Sequence, residues 1–379
     1  MKENVIKQEM IKLTLSDLKD LRFFTEKDGT RDMLSMQLNC FETSVYNILL
    51  NQYKLDRKQV ADLFIRDINP TCWINRTTGI YRMYNLSRNI TPLWTKYVKV
   101  NSCVKEGDPE SVKFIEELLN QGQMVILNTV FELISFYIRY NPDYDIKNFT
   151  PGVDDHFCLI LHHDEEYFYY VEKIPYTVLM DNYVPYEYNN QIGVISKSEM
   201  AKATNIYMSC STLEFRKEDL NGEEFKKDVE DLFKRMVDNF WAPAIQDGLY
   251  TRYYGRQAIE QFAGLCDEQF SLESYYNTAA RLLLDRISYD IWMLHGSRAI
   301  LLEYIKLKED ELDYSGDCEL LLEKVVETKT QWEIVEKILN KKLRLREPLD
   351  SKLGDRIRRQ LISETTLLEM LRGFYTAAS

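Results

Sequence analysis

Apolar residues recur at helical spacing in the first part of the chain. In the segment 41–50 they stand at positions 41, 45, 48 and 49, which predicts a helix, and Asn39 just before it is a suitable N-cap. A second helix is predicted to follow Asp56, which is placed to cap it. A third helix is predicted over 111–121, with Gly122 where a C-terminal glycine is expected.

The pattern then changes to short apolar runs that are typical of strands. The run 124–127 is bounded by polar residues, which predicts a buried strand. The runs 157–161 and 167–171 are rich in β-prone residues and flank a polar turn at 162–166, so they predict a β-hairpin. The segment 191–195 predicts an edge strand.

Beyond about residue 215 the apolar spacing is helical to the last residues. Helices are predicted over 229–237, 275–305, 320–339 and 357–371. The predicted fold class is therefore α+β, with a mixed domain over residues 1–215 followed by an all-helical domain over 216–379.

Composition narrows the possible functions. The chain has 379 residues and a formal net charge of −12, and no basic stripe of the kind that binds nucleic acid is visible. No apolar stretch is long enough to cross a membrane, and the N-terminal residues lack the apolar core of a signal peptide. The seven cysteines form no CxxC pair, which predicts reduced thiols in a cytoplasmic protein.

Cys40 and His156 are the candidates for nucleophilic catalysis. Cys40 stands at the predicted start of a helix, where free N–H groups and the helix dipole favour a thiolate. The alternative is a buried structural cysteine. His156 is one of only four histidines, and it opens the first arm of the predicted hairpin.

An acid near the end of the hairpin would complete a nucleophile–base–orienter triad. The first residue of one arm lies near the last residue of the other, so Glu172 could accept a hydrogen bond from the His156 imidazole. Asp155 and Asp181 are competing acids, and a plain surface role for Glu172 stays open.

The other histidines indicate structural roles. His162 and His163 lie at the hairpin tip, but adjacent strand residues point to opposite sides, so no metal site is predicted there. His295 lies inside the long apolar helix, where a core or interface histidine is expected. The oligomeric state stays open, with a homodimer as one alternative. The segment 253–256 is a polar-aromatic break between helices, and we expect it to pack rather than to line a substrate path.

The order of these residues resembles the papain-like cysteine enzymes. An early cysteine opens a helix, a histidine opens a strand more than a hundred residues later, and an acid follows one hairpin further on. The spacing of sixteen residues from His156 to Glu172 is similar to that in bacteriocin-leader peptidases, which usually have Asp at this position. Leu34 replaces the glutamine that the family places about six residues before the cysteine. The nearest glutamine is Gln37, which the resemblance assigns to the oxyanion hole with the Cys40 N–H.

Three segments resemble the BtrH-type acyltransferase family of butirosin biosynthesis: 39–44, 124–128, and the hairpin from His156 to Glu172. The helical stretch with 254–259 is similar to the region that often follows, and the amide-forming cysteine enzymes of closthioamide assembly are a related resemblance. The family moves an acyl group from a carrier-protein thioester, through an acyl-cysteine, to an amine. The resemblance therefore implies natural-product (nonribosomal peptide) biosynthesis, a substrate-binding role for Asn128, and no cofactor besides the carrier's phosphopantetheine arm.

Two other functions are compatible with the same residues. One is a cysteine peptidase or amidase with water as the acceptor, and the other is a non-catalytic binding protein of the same fold. The expected partners of the transferase are an acyl or peptidyl carrier protein and a small amine. Because carriers are usually acidic, docking needs a local basic patch, for which the C-terminal helices offer candidates that could also be a solvated face: Lys341, Lys342, Arg344, Arg346, Arg356, Arg358 and Arg359.

Overall fold

The chain folds into two compact units, each built from two separate stretches of sequence. The computed structural model describes residues 14–18, 20–21, 23, 32–77, 81–85, 92–130, 133–134, 156–171, 192–267, 280–311, 314, 316–345 and 347–374. Unit 1 consists of Met1–Asp56 and Tyr97–Lys217, and unit 2 consists of Arg57–Lys96 and Glu218–Ser379.

The described helices and strands follow each other in a mixed order. The helices are α1 (Leu15–Leu18), α2 (Met33–Met36), α3 (Cys40–Asn51), α4 (Arg57–Phe64), α5 (Trp94–Tyr97), α6 (Ser111–Asn120), α7 (Lys197–Thr204), α8 (Glu223–Phe240), α9 (Gly255–Asp267), α10 (Ala280–Lys308), α11 (Cys318–Leu345) and α12 (Ser351–Leu371). The strands are β1 (Pro70–Asn75), β2 (Tyr81–Asn85), β3 (Val98–Glu106), β4 (Val125–Thr129), β5 (Cys158–His163), β6 (Tyr167–Val171), β7 (Gly193–Ser196), β8 (Tyr207–Phe215), β9 (Ile245–Asp247) and β10 (Tyr250–Tyr254).

Unit 1 is organised around a six-stranded antiparallel sheet. Its strand order is β3-β8-β4-β5-β6-β7, so β3 and β7 form the edges. The hairpin predicted at 157–171 is present as β5 and β6, although its turn is shorter because β5 continues through His163. The strand predicted at 124–127 and the edge strand predicted at 191–195 are present as β4 and β7.

Helices cover both faces of this sheet. On one face, α6 and α7 contribute to a buried cluster with Ile115, Leu119, Val125, Leu127, Cys158, Ile160, Phe168, Met200 and Cys210. Ile126 and Leu159 alternate along β4 and β5 with members of this cluster, so their side chains lie on the opposite face of the sheet, where they are also buried. There α3 packs against β4 and β5.

The helix boundaries of unit 1 have local causes in the sequence. Helix α3 begins directly after Asn39, as predicted, and α6 ends before Gly122, whose φ of +80° suits a residue without Cβ. Helix α7 begins after Ser196, whose side chain accepts a hydrogen bond from the Glu199 N–H at 3.2 Å.

Unit 2 combines a small antiparallel sheet with long helices. The strand order is β2-β1-β10-β9. Helix α10 packs on α4 and α11, and α12 packs on α9 and α11. A fully buried ion pair joins Arg298 of α10 to Glu364 of α12 at 2.6 Å, and the Trp332 indole N–H donates to the same carboxylate at 2.6 Å. This network joins three helices, because side chains of α10 and α11 both bind the Glu364 carboxylate of α12.

The structure confirms the α+β class and the helical C-terminal region, which begins at Gly255. Two differences from the sequence expectation are notable. Residues 245–254, expected within a helical region, include the strands β9 and β10, and β10 pairs with β1 from the first quarter of the chain. For the same reason the units do not follow the linear division into 1–215 and 216–379: long-range pairing places Arg57–Lys96 in unit 2.

Among the described residues, none of the helices is sufficiently long and apolar to cross a lipid bilayer.

Candidate active site

Cys40 is the first residue of α3, and a reciprocal pair of hydrogen bonds fixes the backbone around it. The Asn39 side chain accepts from the Glu42 N–H at 2.8 Å, and the Glu42 carboxylate accepts from the Asn39 N–H at 3.3 Å. This capping box sets the direction in which the chain enters the helix. The Cys40 side chain is half-buried, and its own N–H stands in the first turn, where an α-helix supplies no acceptor.

The turn before Cys40 is tied to α3. Asp32 caps α2 by accepting from the Ser35 N–H at 3.1 Å, and its second oxygen accepts from the Tyr46 hydroxyl of α3 at 2.7 Å. Gln37 directly follows α2 as its C-cap and is half-buried, three residues before Cys40. Leu34 is fully buried. Its apolar side chain cannot donate the hydrogen bond that the glutamine of the papain-like enzymes supplies at this position.

His156 lies where a ring contact joins its segment to the first turn of α3. The Phe41 and Phe157 rings meet edge to face, with centroids 5.1 Å apart. Cys40 and His156 are the chain neighbours of these two rings. His156 is half-buried and stands two residues before β5 begins.

A second contact fixes the direction of α3 on the sheet. Gln52, directly after α3, accepts from the Met124 N–H at 3.0 Å, directly before β4. The C-terminal end of α3 therefore lies at the beginning of β4. Because β5 runs antiparallel to β4, with Cys158 opposite Leu127, β5 begins where β4 ends. The N-terminal end of α3, the end of β4 and the start of β5 thus meet at one end of the sheet, where these inner strands end or begin.

Asn128 lies at the same end of the sheet. It is buried in β4, on the face opposite to Val125 and Leu127 and therefore on the face that α3 covers. On β8 its partner is Ser209. The Phe41–Phe157 contact brings the segment that carries the Cys40 thiol next to the segment that carries the His156 imidazole, and a thiol and an imidazole are the groups that acyl transfer uses.

The predicted third member of the triad is outside the described residues. Glu172 and its competitors Asp155 and Asp181 all lie there. The hairpin itself is described up to Val171, which pairs with Leu159.

The remaining histidines have structural neighbours. His163 Nε2 is 3.3 Å from Asn120 Oδ1, and His163 Nδ1 is 3.3 Å from Lys197 Nζ. Within the described ranges, no group of three His, Cys, Asp or Glu side chains is arranged to hold a metal ion.

His295 is buried in α10, and its Nε2 lies 2.9 Å from Glu336 Oε2. Burial lowers the pKa of His295, and Glu336 acts in the opposite direction. The segment 253–256, expected to be a break between helices, is the end of β10 and the start of α9.

The basic side chains near the C-terminus do not form one uniform patch. Lys342 pairs with Asp350 at 2.7 Å, and Arg358 pairs with Asp267 and with Asp355. Arg356 donates to Gln331 at 3.2 Å. Lys341, Arg344 and Arg359 are exposed, and Arg346 is outside the described residues.

Several residues that shape the site were not singled out from the sequence. Glu42 could have been found, because Asn-x-x-Glu before an apolar run is a capping-box pattern. The Asp32–Tyr46 and Gln52–Met124 hydrogen bonds span 14 and 72 residues, and no local pattern predicts such pairs.

Comparisons with known proteins give no independent assignment. No protein-family model matches the chain, and no curated protein shows significant sequence similarity to it.

Proposed function

We propose that the protein is a cysteine-dependent acyltransferase that forms an amide bond. The observation that carries the proposal is the meeting of two segments through Phe41 and Phe157, whose neighbours are Cys40 and His156. A thiol at a capped helix start and an imidazole at a strand start are the groups that a thioester-to-amide transfer requires. The resemblance to papain-like and BtrH-type enzymes supports the same function.

The first half-reaction loads the enzyme. The Cys40 thiolate attacks the carbonyl carbon of an acyl thioester, a C–S bond forms, and the tetrahedral intermediate expels the donor thiol. His156 takes the proton from Cys40 and gives it to the departing thiolate. A thioester on the phosphopantetheine arm of a carrier protein is the proposed donor.

The oxyanion of the intermediate needs hydrogen-bond donors at the same end of the sheet. The Cys40 N–H stands at the start of α3, and the Gln37 and Asn128 side chains are the proposed amide donors. The hydrogen bond from Tyr46 to Asp32 keeps the start of α2 against α3, and Gln37 directly follows α2.

In the second half-reaction an amine attacks the acyl-cysteine. The amine loses a proton to His156, a C–N bond forms and the Cys40 thiolate leaves. Glu172 is the proposed group that orients the imidazole. The products are an amide and the free enzyme, and water would give the carboxylic acid in its place.

Trapping of the acyl-enzyme tests the assignment of Cys40. The protein is incubated with an acyl N-acetylcysteamine thioester, which imitates the carrier arm, and its tryptic peptides are weighed. We expect the acyl mass on the peptide 32–54, in which Cys40 is the sole cysteine. Cys40→Ala should remove this label and lower turnover at least about 1,000-fold, whereas Cys318→Ser should keep both. A label that persists in a folded Cys40→Ala variant would contradict the proposal.

The acceptor is tested with the wild-type protein and a panel of primary amines. An amide that appears only with enzyme and amine supports transfer. Release of the free acid at the same rate with every amine would instead establish a hydrolase. His156→Asn should slow the loading step about 100-fold or more, because the thiol loses its base.

A further inference from the structure

Two cysteines face each other directly on neighbouring strands of unit 1, away from the N-terminus of α3. Cys103 of β3 is the register partner of Cys210 of β8, and both are free thiols. The next pair along the ladder is Ser102 and Ser211, whose hydroxyl oxygens are 2.8 Å apart. The two strands thus lie close enough for short side chains of opposite residues to touch.

The backbone spacing of such a pair suits a disulfide. Opposite residues of an antiparallel ladder have Cα atoms about 4.5 or 5.5 Å apart, and disulfides span Cα distances of about 4.4–6.8 Å. Cys158 is the other thiol in this row, but Leu127 of β4 stands between it and Cys210. Two strand spacings amount to about 9.5 Å, beyond the reach of a disulfide. Cys103 is therefore the geometric partner of Cys210.

The two thiols differ in exposure. Cys103 is half-buried, whereas Cys210 belongs to the buried cluster under α6 and α7. Burial, and next the charge of Cys103, raise the pKa of Cys210 to about 12. Lys105 lies on the same strand face as Cys103, and its ammonium group binds Asp108 at 2.7 Å. The more exposed thiol beside a cation is the one that a soluble disulfide can reach first.

We propose that Cys103 and Cys210 form a redox-responsive dithiol that a low-molecular-weight disulfide such as glutathione disulfide closes into a cross-strand disulfide. Cys103 attacks one sulfur of glutathione disulfide, forms a mixed disulfide and releases one glutathione. Cys210 then attacks the Cys103 sulfur and releases the second glutathione. Two thiols are oxidised, one glutathione disulfide is reduced to two glutathione molecules, and the two thiol protons end on these products.

The bond would act on the edge of the sheet. Strand β3 pairs with β8 and forms one edge of the six-stranded sheet. A covalent link in the middle of this ladder would hold the edge strand in place and slow its local opening. This inference does not depend on the acyl-transfer proposal, because neither thiol belongs to the proposed active site.

Peptide mapping of the full chain tests the bond. After incubation with glutathione disulfide and trypsin digestion, we expect the peptides 100–105 and 203–216 linked and lighter by two hydrogens; Cys103 and Cys210 are their sole cysteines. Dithiothreitol should separate them. Amides of β3 should exchange with deuterium at least about tenfold more slowly in the oxidised protein than in the reduced one.

Matched variants identify the partners. Cys103→Ser replaces the half-buried thiol and should abolish the linked peptides, and Cys210→Ala should give the same loss. Cys158→Ala changes the other cysteine of the row and should leave the yield of linked peptides unchanged. Glutathione that stays on Cys103 in the wild-type protein while Cys210 remains a thiol would overturn the proposal, as would linkage of Cys210 to Cys158.

Discussion

Asn39 holds the start of α3 through its side chain, and Cys40 is the next residue. One amide oxygen satisfies the Glu42 N–H, and the reciprocal bond from Glu42 satisfies the Asn39 N–H. The same two bonds therefore stabilise the helix and orient the proposed nucleophile. Stability and activity can be separated here, because α7 has an N-cap of the same kind at Ser196.

Asn39→Ala is expected to lower the free energy of unfolding by about 1 kcal/mol, which is typical for a lost N-cap. Ser196→Ala should cost a similar amount, and urea unfolding measures both. Acyl transfer should fall at least about tenfold in Asn39→Ala alone, because the productive position of the thiol is lost there. Equal activities of the two variants would show that the cap does not position Cys40.

Asp67 is a buried carboxylic acid that should make the stability of the protein depend on pH. It is fully buried in unit 2, where Asn69 donates to one carboxylate oxygen at 2.6 Å and Asn239 to the other at 3.1 Å. Burial raises the pKa of Asp67 to about 6, against the opposing effects of these hydrogen bonds and of the Arg298 charge. The folded protein therefore keeps this proton at a pH where the unfolded chain, with an Asp pKa of about 3.9, has lost it.

The stability of the wild-type protein should consequently fall, through Asp67, as pH rises from about 4 to 6. Asp67→Asn removes the titration, so the wild-type protein should lose up to about 3 kcal/mol relative to this variant over that range. Urea unfolding at a series of pH values measures the difference. Asp238→Asn, at an exposed position of α8, is the charge control and should follow the wild-type profile. Parallel profiles for wild type and Asp67→Asn would rule out the raised pKa.

At the level of helices and strands, the spacing of apolar residues is sufficient to predict a segment whose one face is apolar. Helices α3 and α6, the hairpin of β5 and β6, and the edge strand β7 were all predicted from spacing and flanking residues. Strand β8 was missed although it lies inside the sheet. Ser211 and Thr212 are polar but buried in this strand, so they interrupt the apolar pattern by which a buried strand is predicted. The partner of Ser211 is Ser102 on β3, which is distant in sequence.

The candidate site also has a part that local sequence predicts and a part that depends on contacts between distant segments. Cys40, its cap and the hairpin that follows His156 were found from local sequence, because each depends on a short pattern. The relation between them depends on the Phe41–Phe157 contact and on the Gln52–Met124 hydrogen bond, which connect distant segments. Single-sequence patterns carry no information on such pairs.

The junction between β10 and α9 depends on a glycine. Gly255 has φ of +43°, and a Cβ there would lie 2.8 Å from the Phe240 carbonyl oxygen and still closer to the Phe240 Cα. Gly248 also has a positive φ, of +54°, but a Cβ there would meet no atom within 4 Å. The two glycines share the backbone strain and differ in the steric overlap.

Gly255→Ala is therefore expected to destabilise the protein by at least about 3 kcal/mol, since backbone strain and overlap with the α8 backbone add. Gly248→Ala should cost about 1 kcal/mol, which is the strain alone. Thermal or urea unfolding of both variants measures the difference. Similar losses of stability in the two variants would contradict this prediction, because they would show that the Phe240 backbone can move away from a Cβ at position 255 at little cost in free energy.

At the scale of the whole molecule, the main feature is that neither unit is continuous in sequence. Residues 57–96 supply unit 2 with α4 and with β1, the strand between β2 and β10. Asn69 also donates to the Met236 carbonyl oxygen of α8 at 2.7 Å, and Asp62 pairs with Lys308 of α10 at 2.8 Å. The loss of strand signal near residue 215 therefore lies close to one boundary between the units, after Lys217, but it gives no sign of the boundaries after Asp56 and Lys96.

A fragment of residues 216–379 should not fold alone. The missing part of unit 2 includes five large apolar side chains that are fully buried in the intact protein: Val60, Leu63, Phe64, Ile65 and Ile68. At about 2 kcal/mol for each buried side chain, their loss amounts to about 10 kcal/mol, which is comparable to the whole stability of a domain. The fragment also exposes the unpaired edge of β10.

Residues 57–96 joined by a short Gly-Ser linker to 218–379 should fold, by contrast. Lys96 contacts Glu224 at 2.9 Å and Asp228 at 2.6 Å, so the two ends to be joined lie close together. Circular dichroism during urea unfolding should show a cooperative transition for the joined fragment and a broad, non-cooperative change for 216–379. A sharp transition for 216–379 alone would show instead that the C-terminal helices are an independent domain, as the linear division predicts.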